Sequence, residues 1–150
     1  MMRYWLIDSN VLVSAFNEIE EQHRHSKALL ELAATGRFDG CIAHQNILEF
    51  IATVTSIKRV EKPVSIELAL KVINQYTSFL KVITPKDETL WDFLSLLGDF
   101  SAIRERIFDL YLAATALSHG ISQICTWNIK HLYKIPQLRV RTPKQILKSI

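Results

Sequence analysis

Three acids in this chain stand where solvation alone does not account for a charge. Asp8 lies in LIDSNVL (residues 6–12), with Leu6 and Ile7 before it and Val11 and Leu12 after. Glu49 lies in HQNILEFIATVTSIK (residues 44–58), on a helical face shared with Gln45, Asn46, Thr53 and Ser56 but with no second charge. Asp109 lies in RERIFDLYLAATALSHG (residues 104–120), enclosed by Ile107, Phe108, Leu110 and Leu112. Its own face continues as the small residues Ala113, Ala116 and Gly120, which let a helix approach another backbone closely. Each acid also has an ordinary reading. Asp8 can cap a helix or start an Asx turn, Asp109 can cap a helix that begins at Leu110, and Glu49 can be a lone surface charge.

Taken together, the acids suggest chemistry. A buried carboxylate without a partner is costly unless it is paired, neutralised or metal-bound. Mg2+ and Mn2+ take oxygen ligands, keep several waters and are usually held by few carboxylates plus substrate phosphates. Such an ion makes a hydroxide from bound water and neutralises charge on a phosphodiester in transit. Ser9, Thr126 and Asn128 add uncharged groups able to bond a cation's waters or a phosphate, and Lys130 and His131 follow directly.

These side chains converge only if the elements carrying them do. Periodicity predicts strands at Tyr4–Asp8, Cys41–Ala43, Lys81–Ile83, Ile121–Thr126 and Leu138–Arg141. Helices are expected over Ser26–Thr35 with Gly36 behind it, His44–Lys58, Val64–Phe79 opened by Pro63, Lys86–Leu97 ending before Gly98, and Ile107–His119 before Gly120. A short last helix begins at Pro143. Alternating strands and helices imply an α/β fold with a mostly parallel sheet of four to five strands, covered on both faces. In such sheets ligands bind beyond the carboxyl ends of the strands, where the acids and their polar companions are expected.

Composition narrows the class further. A chain of 150 residues, 49% hydrophobic and 22% charged, is expected to form one domain over residues 1–150. No apolar run is long enough for a membrane span, and MMRYWLIDSN lacks the long apolar stretch of a secretion signal. Cys41 and Cys125 lack metal-ligand spacing and read as buried thiols, so a cytoplasmic protein is expected. The net charge of +3 is unevenly spread. Residues 110–150 hold no acid and six bases (Lys130, Lys134, Arg139, Arg141, Lys144, Lys148), which fits a phosphate-bearing partner. His23 and His25 point to different helical faces, and a zinc site there is disfavoured. Trp5, Trp91 and Trp127 read as core anchors, Trp127 having the best claim to a base-stacking role beside Asn128.

LIDSNVL, HQNILEF, IFDLYLAATALSHG and TWNIKHL, in this order, resemble the motifs of the PIN-domain family, and specifically its VapC-like ribonuclease toxins. The resemblance implies a three-layer α/β/α sandwich and Mg2+- or Mn2+-dependent RNA cleavage. It also implies frequent homodimers and, for toxins, a cognate antitoxin. It carries the metal-site acids to Asp8, Glu49 and Asp109, and the fourth motif position to Asn128, where many members have Asp. Asn128 lowers the charge available for a second cation, and it motivates a competing reading as a weakened RNA- or protein-binding module. Asp99 and Glu105 are further acids near the third motif. A dehalogenase-like phosphotransferase would need Asp-x-Asp after the first strand, and position 10 is Asn; a phosphate-binding P-loop is absent from the sequence.

Overall fold

The computed structural model describes residues 3–99, 106–132 and 134–150; Glu105 lies outside them. Five short strands, β1 (Trp5–Ile7), β2 (Gly40–Ala43), β3 (Lys81–Ile83), β4 (Gln123–Cys125) and β5 (Arg139–Arg141), form one sheet. Every pairing is parallel, and the order is β3-β2-β1-β4-β5. Among the described residues seven α-helices connect and cover the strands: α1 (Ser9–Phe16), α2 (His23–Ala34), α3 (His44–Val54), α4 (Ile66–Thr77), α5 (Thr89–Asp99), α6 (Ile107–Ser118) and α7 (Pro143–Ser149).

The period of two along each strand divides the core. Ile7, Ile42 and Cys125 face a layer built from α1, α2, α3, α4 and α7, with Leu12, Leu29, Phe50, Val72 and Ile146 among its buried residues. Leu6, Cys41, Ala43 and Ile124 face the opposite layer, where α5 and α6 contribute Leu96, Leu110, Leu112, Ala113 and Ala116. This is the expected α/β/α sandwich. Both cysteines are buried free thiols, and burial pushes the Cys41 thiol up to about 12.

Local chemistry sets the element ends. α2 and α6 both close with a glycine in the left-handed region, Gly36 at φ 76° and Gly120 at φ 71°. Each makes the paired bonds of a Schellman motif: Arg37 N to Leu32 O (2.8 Å) with Gly36 N to Ala33 O, and Ile121 N to Ala116 O (2.9 Å) with Gly120 N to Leu117 O. The second motif turns the chain sharply from α6 into β4. Thr142 and Gln145 form a capping box at the start of α7, behind Pro143.

The structure departs from expectation in several places. α1 is absent from the expected elements, although Asp8 reads as a possible helix cap; capping by Asp8 and burial of Val11, Leu12 and Val13 override the weak helix propensity of the two valines. α3 stops at Val54 instead of Lys58. α4 starts later than Pro63 suggests, because the Ser65 hydroxyl accepts from Leu68 N and supplies the cap. α5 continues through Gly98. Trp91, expected in the core, is 68% exposed.

Gly40 opens β2 where a Cβ would come within 2.8 Å of both Ile7 Cδ1 and Leu80 Cδ2, two buried side chains. Gly40→Ala is expected to destabilise the fold by about 1 kcal/mol through overpacking, read as a lower urea midpoint with an unchanged slope.

Candidate functional site

The strand order reverses at β1. The chain leaves β1 toward β2 and β3 on one side and later returns to β4 and β5 on the other, so the carboxyl ends of β1 and β4 flank the switch point. Asp8 follows β1 there, with its backbone N bonded to Cys125 O at 2.9 Å. It is 6% exposed. The capping and site readings of Asp8 prove compatible. Oδ1 accepts from Ser9 N at 2.7 Å at the start of α1, while the carboxylate also borders an open cavity of about 250 Å³.

That cavity collects most of the residues singled out in the sequence. Asp8, Ser9, Glu49, Asp109 and Asn128 line it, together with Asn10, Val13, Ser14, Glu20, Gln22 and Thr53. The cavity therefore draws on the end of β1, the face of α3, the first turn of α6 and the loop after β4. Asp109 does not cap α6; Arg106 takes the cap position and Asp109 stands in the first turn. Its side chain is 28% exposed, and Phe108, expected to help enclose it, is 72% exposed. The small residues Ala113 and Ala116 are buried as expected. Asp99, on α5, is not among the residues lining the cavity.

The acids bear on one another. Burial raises the Asp8 carboxyl above its usual range, with the Asp109 charge adding to the rise and hydrogen bonds from Thr126 and Ser9 opposing it. Burial first, then the charges of Asp8 and Asp109, bring Glu49 up to about 7. Among the described residues, the hydrogen bonds onto Asp8 come from the uncharged groups of Ser9, Asn10 and Thr126. Carboxylates held together at this cost, among neutral oxygen and amide groups, suit a hard divalent cation. Among the described residues no three Asp, Glu, His or Cys side chains form a closed ligand cluster. A cation here would therefore keep much of its water, which Mg2+ does by preference.

Thr126 has a different role from the one expected. It is fully buried, and its hydroxyl donates to Asp8 Oδ2 at 2.9 Å while accepting from Asn10 Nδ2 and Asn128 N, each at 3.0 Å. One hydrogen and two lone pairs are all used, so the hydroxyl fixes Asp8 and has no capacity left for a water or phosphate. Asn10, useful in the sequence mainly as an exclusion, ties the two strand ends together: its Oδ1 accepts from Trp127 N at 3.1 Å. Asn46 leaves the expected polar face of Glu49, being fully buried with Oδ1 accepting from Ala43 N at 2.8 Å. Gln45 does stay near Glu49, and its Nε2 donates to Phe108 O at 2.9 Å, tying α3 to the start of α6. Trp127 is half-buried; its Nε1 donates to Ser26 Oγ.

Two residues at or near the cavity were not selected from the sequence. Glu20 adds a fourth carboxylate to the lining from the α1–α2 loop, and nothing in EIEEQ distinguishes it from Glu18 or Glu21. His131, noted only as a basic residue, sets Nδ1 3.1 Å from Asp109 Oδ2.

A family model for the PIN domain matches residues 5–136. The chain belongs to the PIN-domain family. Solved structures with this PIN fold include VapBC from Salmonella typhimurium bound to DNA, at 21% identity and TM-score 0.68, covering 95% of this chain and 99% of that one. VapBC-1 from nontypeable Haemophilus influenzae aligns at 16% identity and TM-score 0.68, over 94% and 98%. A toxin–antitoxin complex from Klebsiella pneumoniae aligns at 19% and 0.63, over 93% and 97%. No curated protein matches the sequence. Among the described residues no helix is long and apolar enough to cross a membrane.

The raised Glu49 carboxyl gives a stability signature with a defined sign. Between its ordinary 4.5 and about 7 the folded chain binds more proton than the unfolded one. The stability tied to Glu49 is therefore complete below about 4.5 and lost as pH rises through about 7. Glu49→Gln is expected to stabilise the metal-free protein at pH 8 by on the order of 1 kcal/mol after screening of a half-exposed group, seen as a higher melting temperature, and to change its stability little at pH 4.5. Thermal melts at the two pH values provide the check.

Proposed function

We propose that this PIN-domain protein is a divalent-metal-dependent endoribonuclease and the toxin of a toxin–antitoxin pair. The observation that carries the reading is the meeting of Asp8, Glu49 and Asp109, from three separate elements, at one open polar cavity beyond the central strands. Asp8 and Asp109 would hold Mg2+ or Mn2+, with Glu49 completing the site directly or through water. When bound, the ion supplies an activated water and neutralises charge on the phosphodiester.

The chain's own residues do the remainder. Thr126 and Asn10 keep Asp8 fixed. Ser9, whose Oγ lies 3.5 Å from both Asp8 Oδ1 and Glu49 Oε1, bridges the two acids and can orient a water between them. Asn128 is exposed at the cavity edge, where its amide can donate to a phosphate oxygen. Lys130 in the following turn, with Arg141 and Lys144 at the neighbouring β5–α7 junction, provides exposed positive charge for an RNA backbone.

The partners follow from the family resemblance and from the assemblies in which the similar structures occur. An antitoxin helix would find a mainly apolar groove of about 390 Å³ between α1, α2 and α4, lined by Phe16, Leu30, Val72, Tyr76 and Phe79. For a homodimer, α4 exposes Ile66, Leu68 and Leu70, and α5 exposes Leu90, Trp91 and Leu94. Cytoplasmic action fits an RNA substrate and two free thiols.

Asn128 in the fourth motif favours a second reading, a domain that binds RNA without cutting it. One assay separates the two. Purified protein with Mg2+ or Mn2+ is expected to cleave RNA, and Asp8→Asn or Asp109→Asn to slow cleavage by at least about a hundredfold. Excess chelator should abolish it. Cleavage undiminished in either variant or in chelator contradicts the proposal, while RNA binding without cleavage by the wild type favours the second reading.

A further inference from the structure

His131 is placed to act on Asp109 without entering the cavity. It ends a 3-10 turn, Ile129–His131, whose backbone is tied at several points. His131 N bonds Asn128 O at 3.1 Å, Asn128 N bonds Thr126 Oγ1, and Lys130 O accepts from Arg106 Nη1 at 3.2 Å. The next residue, Leu132, is 1% exposed in the α5–α6 layer. The imidazole therefore leaves a fixed backbone. Its Nδ1 meets Asp109 Oδ2 at 3.1 Å, and both side chains are about two-thirds buried, at 31% and 28% exposure. Asp109 borders the cavity and His131 does not.

Asp109 needs such a partner. It stands in the first turn of α6, three residues after a cap position, Arg106, that offers no side-chain bond to the helix. A first-turn aspartate there can rotate toward its own helix's free N–H groups or toward solvent. A donor on Oδ2 from outside the cavity removes that freedom and leaves Oδ1 for whatever the cavity binds.

Resting on the metal-site reading above, we propose that His131 is a positioning residue for Asp109: its Nδ1–H bond to Oδ2 presets the carboxylate and so sets the affinity of the site for a divalent cation. The competing account is a surface pair of little consequence.

Calorimetric titration of the full chain with MnCl2 separates them. His131→Phe, which keeps a ring but no donor, is expected to weaken Mn2+ binding by about tenfold, the usual effect of losing a group that orients a metal ligand. His131→Asn, whose amide nitrogen can sit where Nδ1 does, should stay within about threefold of wild type. Melting temperatures without metal should differ little across the three proteins. Mn2+ affinity within about twofold of wild type in the Phe variant overturns the proposal. Wild type with no saturable Mn2+ binding, or Asp109→Asn binding as tightly as wild type, overturns the metal-site reading itself, a distinguishable failure. Nitrogen-15 spectra of wild-type imidazoles add a readout free of substitution. The His131 Nδ1 should carry a proton; a bare Nδ1 with the proton on Nε2 alone cannot donate to Asp109 and refutes the assignment.

Discussion

A carboxylate at the end of the central strand, almost out of water, is the constraint to which the rest of this structure responds. Asp8 is 6% exposed, and Ser9, Asn10 and Thr126, which donate hydrogen bonds to it, are neutral. The charge of Asp109 makes its ionisation harder, and Asp8 and Asp109 together do the same to Glu49. A fold selected for stability alone would not gather like charges at a strand end. Fixed dipoles cover part of the penalty: Ser9 N at the start of α1 and the buried Thr126 hydroxyl both donate to Asp8. A divalent cation would cover the remainder.

The architecture around that point follows from simple geometry. β1 lies at the middle of a parallel sheet, and the order reverses beside it, so the ends of β1 and β4 leave a crevice. Asn10 and Thr126 stitch the crevice at its base. α3 brings Glu49 from the β2 side, and the Gln45 bond to Phe108 O draws the start of α6 toward it. At the far end of α6, the Gly120 turn directs the chain into β4, whose following loop carries Asn128 and His131. Each bond is weak by itself. Together they hold side chains about 100 residues apart in sequence around one cavity.

How much of this was legible in the sequence depended on whether the signal was local. The sandwich and the positions of the strands followed from alternation and from Gly36 and Gly120, which act over a few residues. Glu49 and Asp109 stood out because each is a lone charge within an apolar run, and they do line the same cavity as Asp8. α1 was missed because eight residues containing Val11 and Val13 become helical only through capping and burial. The exposure of Phe108 and Trp91 was equally hidden, since periodicity cannot tell which apolar residues a neighbouring helix covers. Thr126, Asn10, His131 and Glu20 gain their roles from partners distant in the chain, and a hydroxyl's committed lone pairs leave no trace in a pattern of residue types.

The central claim is that these carboxylates form a cation site. A crystal soaked in Mn2+ tests it directly through the anomalous signal of the metal. The account predicts a peak in the cavity, within coordinating distance of Asp8 and Asp109 and near Glu49 either directly or through water. A well-soaked crystal with an empty cavity, or with Mn2+ bound only elsewhere on the surface, would contradict it.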